Sequence, residues 1–221
     1  MLALAVASEV ADAVRLAGLR LEEIAVGPGD HRLEAALAEA AGRPCQGTDR
    51  DEVTTEVRRL YRRFGIDPTK TRPSSEALAR RVRRGEPFPR VNVLVDVCNW
   101  CSLESGLPFG LYDAARIDGA IDCRIGRADE SYQGIRKDVV HVAGRLVLAD
   151  QVGPFGNPTS DSSRTMITSE TTCALVVVFA PVALAAAVLV RTVETTADRM
   201  VAFARPHRVV RWSSADGVPT D

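Results

Sequence analysis

The sequence predicts a fold of mixed helices and strands, with helical segments concentrated before residue 105 and short strands between 119 and 180. Three observations carry this expectation. Runs with helical spacing early in the chain end on glycine at Gly42, Gly65 and Gly85, where a residue free to turn left-handed stops a helix. From Gly119 onward, brief apolar segments are separated by clusters of Gly, Asn, Asp and Pro, the pattern of strands joined by turns. An alanine-rich run follows Pro181, which suits a helix opened by proline.

Taken in order, residues 19–27 (LRLEEIAVG) alternate as a strand ended by Pro28 and Gly29, and Asp30 caps a helix through Ala41. A second helix covers Asp51 to Phe64, and Ser74 or Ser75 caps a third that runs to Arg84. Val91 to Glu104 reads as a helix ended by Gly106 and Pro108, although its β-branched start also permits a strand. Strands are expected in AIDCRIG, DVVHV, RLVLAD, TMITS and CALVVVFA, followed by a helix from Pro181 to about Ala204. One domain is expected over 1–204, with a basic helical segment at 51–85 inside it and a polar, poorly ordered tail at 205–221.

Composition excludes little and directs much. At 221 residues, 46% hydrophobic and 26% charged, the chain has ordinary globular proportions. Its five cysteines are an odd number and too sparse for a disulfide scaffold, so a reducing, cytoplasmic setting is expected. Met1 to Ala7 is apolar but lacks a basic start and soon meets Glu9 and Asp12, so no secretory leader is expected. Residues 173–190 carry no charge, yet Pro181 interrupts them and no aromatic belt flanks them. A buried strand turning into a helix explains this run, and no membrane span is expected.

The near-neutral net charge of −1 conceals a cationic island. Residues 58–90 hold 11 basic side chains against only Asp67, Glu76 and Glu86. Such concentration points to an anionic partner, the bland alternative being solvated helix faces. The island runs straight into an apolar stretch dotted with Asp96, Asn99, Ser102, Tyr112 and Asp113, where core packing alone prefers no polar group.

Specific chemical motifs are few. There is no dinucleotide or phosphate loop, no nucleophile elbow and no zinc-protease helix, and no cofactor or metal is expected. Cys98 and Cys101 have the spacing of a redox dithiol or half a zinc site, but no second pair accompanies them. A buried, inert pair is the favoured reading, and a thiol or metal protein stays as an alternative. His141, within DVVHV, reads as structural. The segment from Asn157 to Thr172, NPTSDSSRTMITSETT, suits either a hydrogen-bonding loop at a strand mouth or a turn-rich connector.

Three strings carry a family resemblance: YRRFGIDPTKTRPSSEAL, then NVLVDVCNWCSLESGLPFGLYDAARIDGAIDCRIGRADE, then TSETTCALVVV. From about Tyr61 to Phe179 the chain resembles the B3/B4 editing domain of the phenylalanyl-tRNA synthetase β subunit, and more closely the free-standing bacterial proteins built from it. The matching positions are Asn99-Trp100, Pro108, Tyr112-Asp113, Arg124 and Glu130. Two positions depart from the pattern. Gly110 stands where the synthetase domain has a histidine, and Val176, Val177 and Val178 run where it has the glutamate that recognises the tyrosine hydroxyl.

The resemblance implies an α+β fold with an antiparallel, sandwich-like sheet core and flanking helices. It implies a protein that binds tRNA at its aminoacylated acceptor end and hydrolyses the ester of a mischarged amino acid other than tyrosine. Asn99, Tyr112, Asp113, Arg124 and Glu130, with the hydroxyls of Ser163 and Thr165, are the expected pocket. Arg58, Arg62, Arg72, Arg80, Arg81 and Arg84 are the expected RNA contacts. DNA is not an expected partner. A non-catalytic RNA-binding module is the alternative.

Overall fold

The computed structural model describes residues 3–42, 48–136 and 138–214. The chain builds a layer of helices, a central sheet and an outer sheet. The helices are α1 (His31–Gly42), α2 (Thr48–Arg63), α3 (Ser74–Arg83), α4 (Val93–Ser105) and α5 (Ala186–Arg199). The strands are β1 (Leu4–Val6), β2 (Val14–Glu22), β3 (Phe109–Asp113), β4 (Ile121–Ile125) and β5 (Ser131–Gln133), then β6 (Val139–His141), β7 (Leu146–Ala149), β8 (Pro154–Gly156), β9 (Cys173–Pro181) and β10 (Arg208–Ser213). The central sheet has the order β10-β2-β9-β3 and the outer sheet β1-β4-β7-β8, with β5-β6 as a separate ribbon. Every pairing between strands is antiparallel except β1 with β4. The α+β expectation therefore holds, with one parallel pair added.

Strand β9 organises the core. All its residues but Cys173 are buried, and successive side chains leave on opposite faces. Ala174, Val176, Val178 and Ala180 pack against the helices with Leu33, Val57, Val97 and Leu111. Leu175, Val177 and Phe179 pack into the layer between the sheets with Leu16, Tyr112, Ile121, Cys123, Leu148 and Phe155. A strand covered on both sides reads as an unbroken apolar run, which accounts for the uncharged stretch that begins at Cys173. Among the described residues, no helix is long and apolar enough to cross a membrane.

Several element boundaries differ from the sequence expectation. The first long strand is Val14–Glu22 rather than 19–27, because Glu23 adopts φ 51 and breaks it. Pro73, not a serine, occupies the cap position of α3, where no side chain makes a capping bond. The TMITS segment is not a strand. It begins in a short 3-10 turn, Ser163–Thr165, capped by Ser162, and continues in local turns, where Thr168 Oγ1 accepts from the Glu170 amide and the Thr168 amide donates to Thr171 Oγ1. Pro181 closes β9 instead of opening a helix. The carbonyls of Val182 and Leu184 that follow are satisfied by the Arg15 guanidinium at 2.6 and 2.5 Å.

The tail needs the largest correction. Arg208–Ser213 forms β10 and pairs with β2 along its whole length, so this part of the expected polar tail is an edge of the central sheet. It stays there because Val209 packs against the helical core and Trp212 against the inter-sheet core. Residues 215–221 lie outside the described residues.

Gly18 shows how tightly this sheet is assembled. A Cβ there would come within 3.0 Å of the Val176 carbonyl oxygen and the Trp212 ring. Gly18→Ala is expected to cost about 2–3 kcal/mol by overpacking, or roughly 5–10 °C in thermal midpoint. Gly27→Ala, with open space around it, is expected to stay within about 0.5 kcal/mol of wild type. Paired thermal melts check this, and equal midpoints for both variants would refute it.

Candidate functional site

Helix α4 and strand β3 form one continuous wall. Asn92 caps α4 by accepting from the Val95 amide, and Gly106, at φ 79, ends the helix. Ser102 Oγ then donates to the Leu107 carbonyl at 2.8 Å and steers the chain into β3. The buried Asp96 accepts from Arg90 Nε and the Val91 amide, both at 2.8 Å, which ties the end of the basic segment to this helix. Along β3, Leu111 faces the helical core while Tyr112 faces the layer between the sheets.

β3 is one edge strand of the central sheet and β8 one edge strand of the outer sheet, and the loop after β8 closes the side of the sandwich where they end. Asn157 is buried, and its Oδ1 accepts from the amides of Thr159 and Ser160 at 2.8 and 2.9 Å. From the helical layer, Tyr61 Oη donates to the Pro158 carbonyl at 2.9 Å and accepts from Thr159 Oγ1 at 3.1 Å. From the β5–β6 ribbon, Tyr132 Oη donates to the Ser160 carbonyl at 2.6 Å. Gly156 forms a bridge with Asp161.

Tyr112 lies at the centre of this arrangement. Its ring meets Phe155 edge to face, with centroids 4.9 Å apart. A Cβ on either Gly110 or Gly156 would come within 3.0 Å of its hydroxyl, so two glycines, one from each sheet, make room for one phenol oxygen. That hydroxyl is wholly buried, lies against the Asp161 carboxylate, and has no well-formed hydrogen bond among the described residues. Burial first, and then Asp161, push the ionisation of Tyr112 well above the ordinary tyrosine range. The same pair of causes raises Tyr132. Burial dominates at Tyr61. Cys98 is pushed up by burial, then by Cys101 and Asp161. The groups around Asp161 are thus held in their protonated forms.

The structure separates the residues that sequence brought together. Asn99 is half-buried on α4, one position from Cys98. Asp113 is consumed by local structure, its Oδ1 capping a turn at the Ala115 amide and its Oδ2 accepting from Thr171 at 2.8 Å. Arg124 and Glu130 face each other as a bidentate pair with both contacts at 2.7 Å. Because Cys123 points between the sheets, the neighbouring Arg124 leaves on the opposite, outer face. Ser163 Oγ donates to the Gln133 carbonyl at 3.3 Å, and Thr165 is buried with its hydroxyl unpartnered among the described residues. Of these seven, Tyr112 lies against Asp161. Tyr61, Tyr132, Gly156 and Asp161 were missed as individual residues. The polar loop beginning at Asn157 was their only signal.

The arginine island is partly spoken for. Arg58 makes a bidentate pair with Glu76 at 2.8 and 2.6 Å. Arg81 and Arg84 approach Glu86 at 3.5 and 3.8 Å, and Arg59 pairs with Glu56. Among the described residues, Arg62, Arg72 and Arg80 have no such acidic partner, and Arg62 and Arg80 are exposed. Cys98 and Cys101 are both buried, and burial raises the Cys101 thiol as well. Among the described residues, no three His, Cys, Asp or Glu side chains gather as metal ligands.

Residues 56–205 match the family model described as the B3/4 domain. The chain belongs to the B3/4 domain family. The B3/4 match encloses the whole Asp161 cluster, Arg58, Arg59, Arg62 and Arg63 of α2, and the arginines of α3. Among curated proteins, the phenylalanine–tRNA ligase beta subunit of Dechloromonas aromatica (strain RCB) is 33% identical over 84 residues, which is 38% of this chain and 10% of that protein. The corresponding subunit of Thiobacillus denitrificans (strain ATCC 25259 / T1) is 30% identical over 151 residues, 65% of this chain and 18% of its own length. The chain therefore spans less than a fifth of either relative. An N-terminal fragment of the phenylalanyl-tRNA synthetase beta-subunit from Pyrococcus horikoshii superposes with a TM-score of 0.46 at 10% identity, covering 96% of this chain and 54% of that one.

Within this B3/4 domain, the two departures noted in the sequence are neighbours. Gly110 is the cross-strand partner of Val177, and of the three valines Val177 alone faces the layer between the sheets.

Two measurements follow from the titrating groups. Arg124, followed by the amide of Arg127, holds the Glu130 carboxyl below its ordinary value of 4.5. At Asp150 burial pushes upward, but the paired Arg164 and nearby amides outweigh it and hold the carboxyl below 3.8. A carboxyl lowered by folding contributes fully above its unfolded value and loses that contribution as pH falls through the folded one. Glu130→Gln is expected to lose about 1–3 kcal/mol at pH 7 and less near pH 3. Urea midpoints at the two pH values check this, and an equal loss at both refutes it. With a thiol reagent at pH 8, Cys173, half-buried, is expected to react before Cys98, Cys101 and Cys123, whose burial holds them protonated, Cys123 being pushed up to about 12.

Proposed function

We propose that this B3/4 protein binds tRNA and hydrolyses, in trans, the ester of a mischarged aminoacyl-tRNA. The observation that carries the reading is the span of the family match, residues 56–205, which includes both the exposed arginines and the Asp161 cluster. The curated relatives are named as beta subunits of phenylalanine–tRNA ligase, proteins that act on tRNA. Arg62, Arg72 and Arg80 would meet its phosphates, and their location on α2 and on and before α3 leads toward Tyr61 and the loop after β8. A cytoplasmic setting goes with this reading.

The chemistry asks little of the protein. An aminoacyl ester is already activated, so a held water and hydrogen bonds to the developing oxyanion suffice. The water oxygen adds to the ester carbonyl carbon and the bond to the ribose oxygen breaks. The water proton passes to that oxygen, with the neighbouring ribose hydroxyl as relay, which leaves free amino acid and deacylated tRNA. With Gly110 and Val177 in place of histidine and glutamate, an amino acid other than tyrosine is expected.

One observation favours a second reading, a non-catalytic RNA-binding module. The tyrosines and the cysteine around Asp161 are all held protonated, so none is an activated nucleophile. A deacylation panel of mischarged tRNAs decides between the two. Hydrolysis of at least one ester above the buffer rate supports the enzyme, and tRNA binding with no hydrolysis supports the module. Both readings expect Arg62→Ala and Arg80→Ala each to lower the slope of log affinity against log salt by about 0.7–1. An unchanged slope in both variants removes these side chains from the interface.

A further inference from the structure

We propose that the first turn of α3, Ser74 and Ser75 with the preceding Arg72, is a phosphate-binding site. The proposal deepens the tRNA reading on which it rests, because the ligand it then takes is one backbone phosphate of the tRNA.

The helix starts without a cap. Pro73 occupies the cap position, and no side chain makes a capping bond there. The first bonds back along the chain run from the amides of Glu76 and Ala77 to the Pro73 carbonyl, at 3.1 and 3.0 Å. The amides of Ser74 and Ser75 precede them and point out of the helix end, where no carbonyl lies one turn earlier to receive them. The aligned peptide dipoles of this 10-residue helix add partial positive charge at the same place.

Helix ends of this kind are common, and the two serines set this one apart. Ser75 is 1% exposed, and the hydroxyl oxygens of Ser74 and Ser75 are both buried with no hydrogen-bond partner among the described residues. Side chains of a helix tilt toward its N-terminus, so both hydroxyls lean toward the uncapped end. Unpaired buried hydroxyls destabilise a fold, and alanine, a better helix former, would avoid this. Such groups are retained where a ligand pairs with them. Arg72 and Ser74 are half-buried, so an anion approaches from their side, and a serine hydroxyl turns toward it by one χ1 rotation.

The surrounding charge selects an anion. Arg72 has no acidic partner among the described residues, and Lys70 and Arg62 are exposed. Arg62 stands one helical turn beyond Arg58 on α2, and Arg58 holds Glu76, the acid of this first turn, in a bidentate pair that offsets its charge. Amides, hydroxyls and a guanidinium together are the donors that phosphate oxygens accept from. The turn also lies beside the loop after β8. Tyr61, raised chiefly by burial, senses the Glu76 carboxylate as well, and its hydroxyl donates to the Pro158 carbonyl in that loop. A tRNA phosphate seated here therefore belongs near the aminoacylated 3′ end.

The test uses an uncharged acceptor-stem minihelix ending in CCA. In a set of copies, a neutral methylphosphonate replaces the phosphates of its 3′ single strand one at a time. Fluorescence anisotropy with the full chain is expected to find one linkage whose neutralisation weakens binding about tenfold. Ser74→Ala and Ser75→Ala should each weaken the unmodified minihelix, and neutralising that linkage should then have little further effect. Without ligand, both variants should melt at or above the wild-type midpoint, because each removes an unpaired buried hydroxyl. Lowered midpoints with unchanged binding would make the serines structural and overturn the site. Inorganic phosphate at matched ionic strength is expected to raise the wild-type midpoint by about 1–3 °C and to leave the variants unmoved. If this shift appears but the minihelix does not bind, the phosphate site stands and the tRNA reading fails. If the minihelix binds and every neutral linkage weakens wild type and variants equally, the site is overturned and tRNA binding stands. Neither minihelix binding nor a phosphate shift overturns both.

Discussion

Everything in this architecture depends on one strand that must be covered on both faces. β9 carries Val176 and Val178 toward the helices and Val177 and Phe179 toward the outer sheet. Burying each such side chain is worth about 1.5–3 kcal/mol, so exposing either face would cost several of these increments together. The helices cover one face and the outer sheet the other. Neither cover has a reason to exist without β9, and the order β10-β2-β9-β3 keeps that strand away from both edges of its sheet.

A sandwich made this way has open sides, and chemistry collects where two edges meet. β3 and β8 end their respective sheets on the same side, and the loop after β8 spans the gap. It is held from three directions, by Tyr61 from the helices, Tyr132 from the ribbon and Asn157 from within. Backbone carbonyls that a strand pairing would have satisfied are satisfied here by phenols. The result is a rigid polar loop at the mouth of an apolar layer, a usual place for a small-molecule site.

The arginines divide by the same logic of burial. A buried carboxylate requires a partner, and at three such sites among the described residues it is arginine: Arg90 for Asp96, Arg58 for Glu76, and Arg164 for Asp150. These pairs fasten segments together and leave little net field outside. Arg62 and Arg80, which project away from such acids, supply the outward positive charge. A count of basic residues merges the two groups, because it registers charge and not what lies opposite it.

What the sequence by itself determined was local. Asp30, Gly65, Gly85 and Gly106 mark helix ends through the conformations their own backbones and side chains allow, and the uncharged run after Cys173 announced a buried strand. The family resemblance singled out Tyr112, whose hydroxyl lies against Asp161 between Gly110 and Gly156. Other outcomes belonged to tertiary structure alone. Trp212 and Val209 have no apolar periodicity to advertise them, and they form a strand only because β2 offers an open edge. Arg124, expected in the pocket, leaves β4 on its outer face by alternation and pairs there with Glu130. Asp161 lies 49 positions from Tyr112 in the sequence, and only the meeting of two sheet edges sets its carboxylate beside that hydroxyl. Local conformation follows from neighbours in the chain, whereas a site built across layers depends on which faces burial forces together.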